Sequence, residues 1–436
     1  MYKKSIYNIC IGNVSDNKLY YNSFTGSISL FDNKSLNFLE NISLYDEDNS
    51  NEEDKQLKNL MYENGFIVNE EFDELNWIIL NNKSIRYDIH PTKIRLTVAP
   101  TMLCNYNCYY CYESRVDRSP KMSNEVIDDL LNYIEKQITD ELKELCISWY
   151  GGEPLLAIDV IKKISIHLIT LCNQKGIKYK SDILTNGYLL DYNTAVMLHD
   201  ECNITSVQIP MDGMAQTYSE RKGVSKETFD KVINNICEIC DIMKIHIRMN
   251  VDNNNKQEIY ELARMLLIDC NLKGKIRIYL APVKNYSNVC NFIDSGCFSD
   301  IQFLNFKLLF SEFLKDLDEK VSILTSIRMP SFISCGLSRV QNLIIDSDGI
   351  FYRCAHLIGH KEHAIGNVKI GQVFNDANMK FLNMEIQSKC KMCNMLPVCM
   401  GGCYFERLLN NDDSVCRDHI ERIKHDIMLA LDYIQE

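Results

Sequence analysis

Three cysteines stand close together in the stretch CNYNCYYC, at Cys104, Cys108 and Cys111. Their spacing gives one short loop three thiol groups, which can bind metal as thiolates. A structural zinc ion takes four protein ligands, and so does an iron–sulfur cube. Three cysteines would therefore leave one coordination position open, and an open iron can bind a small molecule.

A second group of cysteines lies in the last quarter of the chain, and its members are Cys335, Cys354, Cys390, Cys393, Cys399, Cys403 and Cys416. Metal-ligand spacing alone permits a zinc ribbon built from the four members between residues 390 and 403. Zinc there would leave the other three cysteines without a role, so the zinc ribbon is the less favoured interpretation.

Composition and charge indicate the cellular compartment of this cysteine-rich chain and the classes of partner that it excludes. The chain has 19 cysteines in 436 residues, and its start, MYKKSIYNIC, lacks the apolar core of a signal peptide. No apolar run reaches the length of about eighteen residues that a membrane span needs. We therefore expect a cytoplasmic protein whose cysteines bind metal or act in catalysis. A net charge of −12 argues against nucleic acid or an anionic membrane as a partner.

Strands and helices alternate between about residues 92 and 283. The predicted strands are KIRLTVAP, ELCISWY, KYKSDILT, ITSVQIP, IHIRMNV and IRIYLAP. The helices predicted between them include Asn124 to Gln137, Ile158 to Asn173 and Lys226 to Met243. Six strand–helix units in tandem indicate an α/β fold with a parallel sheet, here a partial (β/α)6 TIM-like barrel. The loop with the three cysteines follows the first strand, at the end of the sheet where such folds hold their chemistry.

The first 90 residues form a different pattern. KLYYNSFTGSISLF alternates apolar and polar residues around a turn at Thr25-Gly26, which predicts short strands. Helices are predicted at NKSLNFLE, EEDKQLKNLMYENG and EEFDELNWIIL, and FIV before the last of them predicts a further strand. Short strands and helices in this order indicate a winged-helix-like module.

The CxxxCxxC stretch, with Tyr110 before its last cysteine, resembles the signature of the radical S-adenosylmethionine (SAM) enzymes. The resemblance implies that Cys104, Cys108 and Cys111 hold a [4Fe–4S] cluster whose fourth iron is chelated by SAM. It also implies reductive cleavage of SAM to methionine and a 5′-deoxyadenosyl radical, chemistry that the cofactor carries. Tyr110 is then expected to contact the cofactor.

The stretch WYGGEPLL resembles the GGEP motif of the same family, at Gly151, Gly152, Glu153 and Pro154. Two glycines allow the backbone to approach a ligand closely, and a glutamate can accept hydrogen bonds from an amino group. The resemblance implies that these four residues contact SAM.

Two later stretches resemble the family less closely. LTNG contributes Asn186, and VQIPMDGMAQTYSER contributes Asp212 and Arg221, while Pro210 stands where relatives carry a hydroxyl. Asn250 ends the fifth strand. By resemblance or by place, Asn186, Asp212, Arg221 and Asn250 are expected SAM contacts.

The seven C-terminal cysteines resemble the SPASM pattern of radical SAM peptide-modifying enzymes, a resemblance that implies two auxiliary [4Fe–4S] clusters. The outer cluster would be held by Cys390, Cys393, Cys399 and Cys416. The inner cluster would be held by Cys335, Cys354 and Cys403. Its fourth ligand is Cys290 or Cys297, or its fourth iron is open and can bind a substrate thiolate.

The N-terminal stretches YNSFTGSISLF, LMYENGFIV and FDEL resemble the leader-recognition module of enzymes that modify ribosomally made peptides. The resemblance implies a precursor peptide as partner, bound as an added strand. A flavodoxin or ferredoxin is the expected reductant. The expected domains are 1–90 for peptide recognition, 91–310 for the barrel and 311–436 for the SPASM domain.

Together these resemblances favour a peptide maturase that installs a thioether or another side-chain crosslink. The first alternative is a sulfatase-maturase-like enzyme that makes formylglycine, although such enzymes carry Asp where Ala355 follows Cys354. The second is an iron–sulfur protein for electron transfer or peptide binding.

No catalytic base can be assigned from the sequence. Tyr112 and Glu113 could line the cavity beside Cys111. The histidines of CAHLIGHKEH favour a solvated loop, and they are His356, His360 and His363.

Overall fold

The structure, a computed structural model, describes residues 1–115, 120–284, 296–409, 416 and 419–434. Cys290, one of the two candidates for a fourth ligand, lies outside these residues. The strands are β1 (Tyr2–Lys4), β2 (Asn8–Val14), β3 (Asn17–Asn22), β4 (Ile28–Phe31), β5 (Ile67–Asn69), β6 (Lys93–Val98), β7 (Glu144–Trp149), β8 (Lys178–Leu184), β9 (Ile204–Pro210), β10 (Lys244–Val251), β11 (Ile276–Pro282), β12 (Leu343–Ile345), β13 (Phe351–Tyr352), β14 (Gly366–Asn367) and β15 (Gly371–Gln372).

The helices are α1 (Asn33–Glu40), α2 (Glu52–Glu63), α3 (Glu74–Tyr87), α4 (Asn124–Gln137), α5 (Ile158–Lys175), α6 (Tyr192–Cys202), α7 (Ala215–Lys222), α8 (Lys226–Ile239), α9 (Lys256–Arg264), α10 (Asp300–Asp316), α11 (Lys320–Leu324), α12 (Asp376–Leu382), α13 (Ser388–Lys391), α14 (Leu396–Cys399), α15 (Tyr404–Leu409) and α16 (His419–Ile434). Among the helices of the described residues, none is both long and apolar enough to cross a bilayer.

The chain divides into two compact units. Residues 1–87, 323–338 and 384–436 form one, called here the terminal unit. Residues 88–322 and 339–383 form the other, called the barrel unit. Residues 339–383, which the sequence assigned to the SPASM domain, are therefore part of the barrel unit. The predicted functional domains stay a prediction.

The barrel unit is built on a sheet with the order β11-β10-β9-β8-β7-β6-β12-β13. Strands β6 to β11 are parallel neighbours in chain order and have helices between them, which confirms the predicted partial barrel. The sequence did not predict β12, which pairs in parallel with β6, or β13, which turns back beside β12. The sheet is therefore extended beyond its first parallel strand by residues from much later in the chain.

Alternation along each strand decides which side chains face the inside of the barrel. On β10, Ile245, Ile247 and Met249 are buried, whereas Arg248 between them is only partly buried and contacts a cavity. Successive side chains of a strand point to opposite faces of the sheet. Apolar residues therefore pack beneath the helices, while the polar residues at alternate positions line the interior.

The terminal unit contains the antiparallel sheet β2-β3-β4, the pair β1-β5 and the helices α1 to α3. The predicted strands and helices of this region are present, and the structure adds β1 and β2. Helix α16 packs on the sheet, where Ile423 and Ile427 belong to the same buried hydrophobic cluster as Ile9 and Tyr21. The first and last segments of the chain thus share one hydrophobic core.

Candidate active site

A cavity of about 240 Å³ lies at the carboxyl ends of the parallel strands of the barrel unit. Its wall includes residues that end or follow strands β7 to β11, such as Gly151, Leu184, Pro210, Asn250 and Pro282. Parallel α/β sheets bind ligands at this end. We call this space the barrel cavity, and it is the candidate active site.

All three cysteines of the CxxxCxxC loop line the barrel cavity. The amide of Cys111 donates to the carbonyl of Cys108 at 3.2 Å, which closes a tight turn. The amide of Tyr106 donates to Sγ of Cys104 at 3.4 Å, so this sulfur already receives a hydrogen bond of the kind that stabilises a thiolate. The structure thus brings together the three residues that the sequence predicted as one ligand set.

The charge state of these thiols is set by their surroundings. Burial raises the pKa of Cys104 to about 11 and the pKa of Cys111 to about 12. Metal coordination deprotonates a thiol, so loading a cluster would release protons. Three soft sulfur donors at one cavity fit an iron–sulfur cluster by their chemistry.

Backbone contacts hold the cysteine loop against the end of α7. The amide of Asn107 donates to the carbonyl of Lys222 at 3.0 Å, and the amide of Tyr109 donates to the carbonyl of Arg221 at 3.3 Å. Gly223 follows with a φ of 63°, and a Cβ at this position would come within 2.8 Å of the Asn107 carbonyl oxygen. These contacts therefore hold the cysteine loop, which follows β6, against helix α7.

Gly151 and Gly152 line the barrel cavity and also contact the beginning of the cysteine loop. A Cβ on Gly152 would lie 2.6 Å from the carbonyl oxygen of Met102 and would collide with the carbonyl of Leu103. Gly151 has a φ of 102°, which side chains rarely permit. The two glycines therefore let two loops of the site pack backbone to backbone.

Glu153 is fully buried and is not among the residues that line the cavity. Its carboxylate accepts hydrogen bonds from the Thr185 hydroxyl (2.7 Å), the Asn186 amide (2.8 Å) and the Leu155 amide (3.0 Å). Burial raises its pKa to about 7, against the effect of these donors. Pro154 begins the helical turn that Glu153 caps. The structure gives Glu153 a positioning role, and its contact with SAM stays a prediction.

Asn186 lines the cavity, and its side-chain amide donates to Oδ1 of Asn105 at 2.7 Å. Because its backbone amide is held by Glu153, the end of β8 is tied both to the loop after β7 and to the cysteine loop. Asn186, which the LTNG stretch predicted as a SAM contact, therefore lies in the wall of the candidate active site.

Asp212 is buried behind the cavity wall at the centre of a polar network. It accepts hydrogen bonds from the Tyr110 hydroxyl and, at 3.1 Å, from Nδ2 of Asn250. Nζ of Lys222 pairs with Asp212 at 3.0 Å and donates to the Tyr110 hydroxyl at 2.5 Å. Burial and the neighbouring Asp212 raise the pKa of Tyr110 well above its usual value. Tyr110, Asn250 and Lys222 face the cavity, and Asp212 orients all three.

Arg221 is buried one layer farther from the cavity than the sequence implied. Its guanidinium pairs with Asp252 at 2.9 Å and lies 3.9 Å from Asp212. It also lies over the rings of Tyr109 and Tyr110, 5.2 and 5.6 Å from their centroids. The residue at the cavity wall is the next one, Lys222.

Among the residues of the cavity wall that sequence reasoning missed are Tyr150, Gln208, Lys222 and Arg248. Gln208 and Arg248 are polar residues at alternate positions of otherwise apolar strands, and this alternation was a usable signal. Lys222 gave no such signal, because only the helix end decides which of two adjacent basic residues faces the cavity.

The outer wall of the cavity includes Tyr112, Glu113 and His356. The predicted cavity-lining place of Tyr112 and Glu113 is confirmed. The His356 ring packs edge-on against Tyr112 with 4.5 Å between centroids, so the expected solvated loop is wrong for this histidine. His360 instead pairs with Glu362 at 3.5 Å.

Four of the C-terminal cysteines lie close together in the terminal unit. Burial raises the pKa of the Cys399 thiol, and the nearby thiols of Cys390, Cys393 and Cys416 raise it further. These four are the residues that the sequence predicted as the outer ligand set. Their role as ligands stays a prediction.

The predicted inner set is distributed differently. Cys335 and Cys403 both belong to the terminal unit, and their thiols interact electrostatically. Cys354 belongs to the barrel unit. Cys297, the described candidate for a fourth ligand, packs against Val283 of the cavity wall. The inner ligand set stays a prediction.

Within the part of the chain that the structure describes, no three Cys, His, Asp or Glu side chains gather around a single point that could hold one metal ion. In an iron–sulfur cube each thiolate binds a different iron, so its ligands do not share one ion.

Comparisons with known proteins agree with this site. A family model described as the radical SAM superfamily matches residues 98–266. The chain is 26% identical over 360 residues to a cysteine-type anaerobic sulfatase-maturating enzyme of Clostridium perfringens, covering 76% of this chain and 90% of that enzyme.

Two solved structures share the fold. The structure of anSMEcpe with bound AdoMet has a TM-score of 0.60 at 20% identity and covers 79% of this chain and 98% of its own. The structure of Streptococcus suis SuiB bound to precursor peptide SuiA has a TM-score of 0.55 at 16% identity. The aligned region covers 96% of this chain and 99% of the SuiB chain. The family match and the shared fold together lead to one conclusion: the similarity of this chain to the radical SAM superfamily lies at residues 98–266, which contain the cysteine loop and the GGEP stretch.

Proposed function

We propose that this chain is a radical SAM enzyme that modifies a ribosomally made peptide, with a thioether crosslink as the favoured product. One observation carries the proposal: three cysteine thiols and the glycine pair Gly151-Gly152 line the same cavity. A thioether replaces one C–H and one S–H bond by a C–S bond. The 5′-deoxyadenosyl radical would take the hydrogen atom from carbon, the thiol would lose its proton, and the remaining electron would pass to an auxiliary iron–sulfur cluster. Each crosslink therefore makes the peptide lighter by two hydrogen atoms.

The residues that would hold the cofactors follow from the cavity wall. Cys104, Cys108 and Cys111 would bind the [4Fe–4S] cluster, and the polar wall of Tyr110, Asn186, Asn250 and Lys222 would bind SAM. When bound, the cluster supplies the electron that cleaves SAM and so generates the radical. The chain's own part is to orient SAM and to keep water from the reacting carbon.

The coverage of the two solved structures and the edge of one sheet support a peptide substrate. About a fifth of the chain has no counterpart in anSMEcpe, whereas SuiB, solved with a precursor peptide, covers nearly all of it. In the sheet β2-β3-β4, strand β4 pairs on one side only among the described residues. An extended leader could add to that edge as a fourth strand.

The pairing of β4 identifies the amides that would receive the leader. The Asn22 amide donates to the carbonyl of Ser27 at 2.8 Å, so residues 27, 29 and 31 pair inward with β3. Ile28 and Leu30 therefore direct their N–H and C=O groups to the outer edge. Leu30 is also exposed and fills no core position.

This leader site is tested by two substitutions at one residue. Leu30→Pro removes an outward N–H while an edge strand tolerates the proline, and Leu30→Ala keeps the N–H. The probe is a fluorescent leader from a short cysteine-containing reading frame beside the gene. We expect Leu30→Pro to weaken leader binding about tenfold, the loss of roughly one hydrogen bond, and Leu30→Ala to leave it near wild type. Equal binding by both variants would exclude this edge.

The enzyme proposal is tested by anaerobic reconstitution, followed by assay of 5′-deoxyadenosine from SAM under a strong reductant. Mass spectrometry of a coexpressed precursor then reports the product, with two hydrogens lost for each crosslink. Deoxyadenosine without any modified peptide would support SAM cleavage but remove the maturase proposal. Intact clusters without deoxyadenosine would favour the electron-transfer alternative.

Formylglycine formation is a second candidate, favoured by the identity with the sulfatase-maturating enzyme over 76% of the chain. Against it stands Ala355, where the resemblance expects Asp. Incubation with a sulfatase-derived cysteine peptide decides between them, because an aldehyde trapped by a hydrazine would be found only for this reaction. Sulfur retained in the product would favour the thioether.

A further inference from the structure

Arg248 lines the barrel cavity from the inner face of β10. Its Nε donates to Oδ1 of Asn250 at 2.9 Å, and the amide nitrogen of Asn250 is committed to Asp212 at 3.1 Å. The orientation of the guanidinium is therefore fixed through Nε. The Arg248 side chain also donates to the Tyr279 hydroxyl, so the remaining terminal N–H groups are left for a ligand.

Arg248 differs in charge balance from the other cations at or near the site. Lys222 is neutralised by Asp212 at 3.0 Å, and Arg95 is neutralised by Asp182 at 3.1 Å. Around Arg248, no carboxylate of any residue in the described ranges lies within ion-pair distance. A partly buried cation without a counter-ion is costly, so the cavity favours an anionic ligand at this point.

Gln208 on the neighbouring strand supplies a second donor. It lines the cavity, and its Oε1 accepts a hydrogen bond from the Tyr279 hydroxyl. With the oxygen engaged, the side-chain NH2 group of Gln208 is left to donate. A guanidinium fork beside an amide donor matches the planar, two-oxygen geometry of a carboxylate.

We propose that Arg248 and Gln208 bind the side-chain carboxylate of an Asp or Glu of the peptide substrate, next to the residue that is modified. The inference rests on the proposed peptide-modifying function and specifies its substrate. SAM also carries a carboxylate, so the two sources share one chemistry and the experiment must separate them.

The test uses the full-length chain, reconstituted anaerobically and saturated with SAM. The probes are N-acetyl-aspartate amide and N-acetyl-asparagine amide, which differ only in the charged group, and ligand-observed NMR measures their binding. We expect the wild type to bind the aspartate probe about tenfold more tightly. Arg248→Gln should remove this preference, and Arg248→Lys should keep part of it because the charge remains without the fork.

Arg277→Gln is the matched control. Arg277 lies on β11 next to β10, and it does not line the cavity. We expect this variant to keep the preference for the aspartate probe. If Arg277→Gln and Arg248→Gln lost the preference for the aspartate probe equally, the proposal would be overturned. The preference would then come from the total positive charge of the barrel rather than from Arg248.

SAM affinity, measured without any probe, separates the two carboxylates. We expect Arg248→Gln to lose at most about threefold in SAM affinity, through the Asn250 amide that Arg248 orients, against about tenfold in affinity for the aspartate probe. A tenfold loss of SAM affinity, or a wild type that binds both probes equally, would overturn the proposal. Deoxyadenosine formed by the same wild-type preparation tests the proposed function separately, because probe binding requires no cleavage of SAM.

Discussion

Lys222 is a buried cation whose side chain is 2% exposed, and its charge is offset by Asp212 at 3.0 Å. Breaking a buried pair by removing one partner leaves the other charge uncompensated. Here Arg221 is too far from Asp212, at 3.9 Å, to replace the lost contact fully. We expect Lys222→Met to lower the free energy of unfolding by roughly 3 kcal/mol, measured by urea unfolding.

The double variant Lys222→Met/Asp212→Asn tests whether this loss comes from the charge. Replacing both partners removes the uncompensated carboxylate, so the double variant should be more stable than Lys222→Met alone. Losses that simply add, as for independent sites, would contradict the pairing.

Among the elements, the contact between the loop after β7 and the cysteine loop is the tightest link of the site. We expect Gly152→Ala to lower stability by about 2 kcal/mol through overpacking and to displace the cysteine loop. The displacement should reduce the iron bound at Cys104, Cys108 and Cys111, which iron analysis and the charge-transfer absorbance measure. The added Cβ has no room to shift, because its neighbours are backbone carbonyls.

Gly176→Ala is the control for this element. Gly176 ends α5 with a φ of 69°, and a Cβ there would meet no atom within 4 Å. This variant should lose about 1 kcal/mol through the left-handed backbone alone and bind the same iron as the wild type. Iron loss in both variants would mean that strain, rather than collision, controls the loop.

The strands and loops also show how much of the fold and of the candidate site the sequence predicts. The six parallel strands were predictable because local alternation and turns define them, and the cysteine loop was predictable from spacing. The addition of β12 beside β6 was not, because a three-residue strand carries little periodicity and its place depends on a distant partner. Glu153 was predicted from its motif as a ligand contact, but only the fold shows that its carboxylate already has three donors.

At the scale of the whole molecule, the CxxxCxxC set and the predicted outer set belong to units with separate cores. Cys104, Cys108 and Cys111 are in the barrel unit, and Cys399 with its three neighbours is in the terminal unit. Compact units with their own cores can lose a local site independently. Removal of one set should therefore leave the other loaded.

We expect the wild type to bind about twelve irons, and both the Cys104/Cys108/Cys111→Ala variant and the Cys399→Ala variant to lose about four. The triple variant should also form no 5′-deoxyadenosine. Cys172→Ala, at a buried core cysteine of α5, is the matched control and should keep the full iron content. Four irons and bound zinc in the wild type would instead assign the C-terminal cysteines to a zinc ribbon. A Cys399→Ala variant that loses all its iron would contradict the independence of the two units.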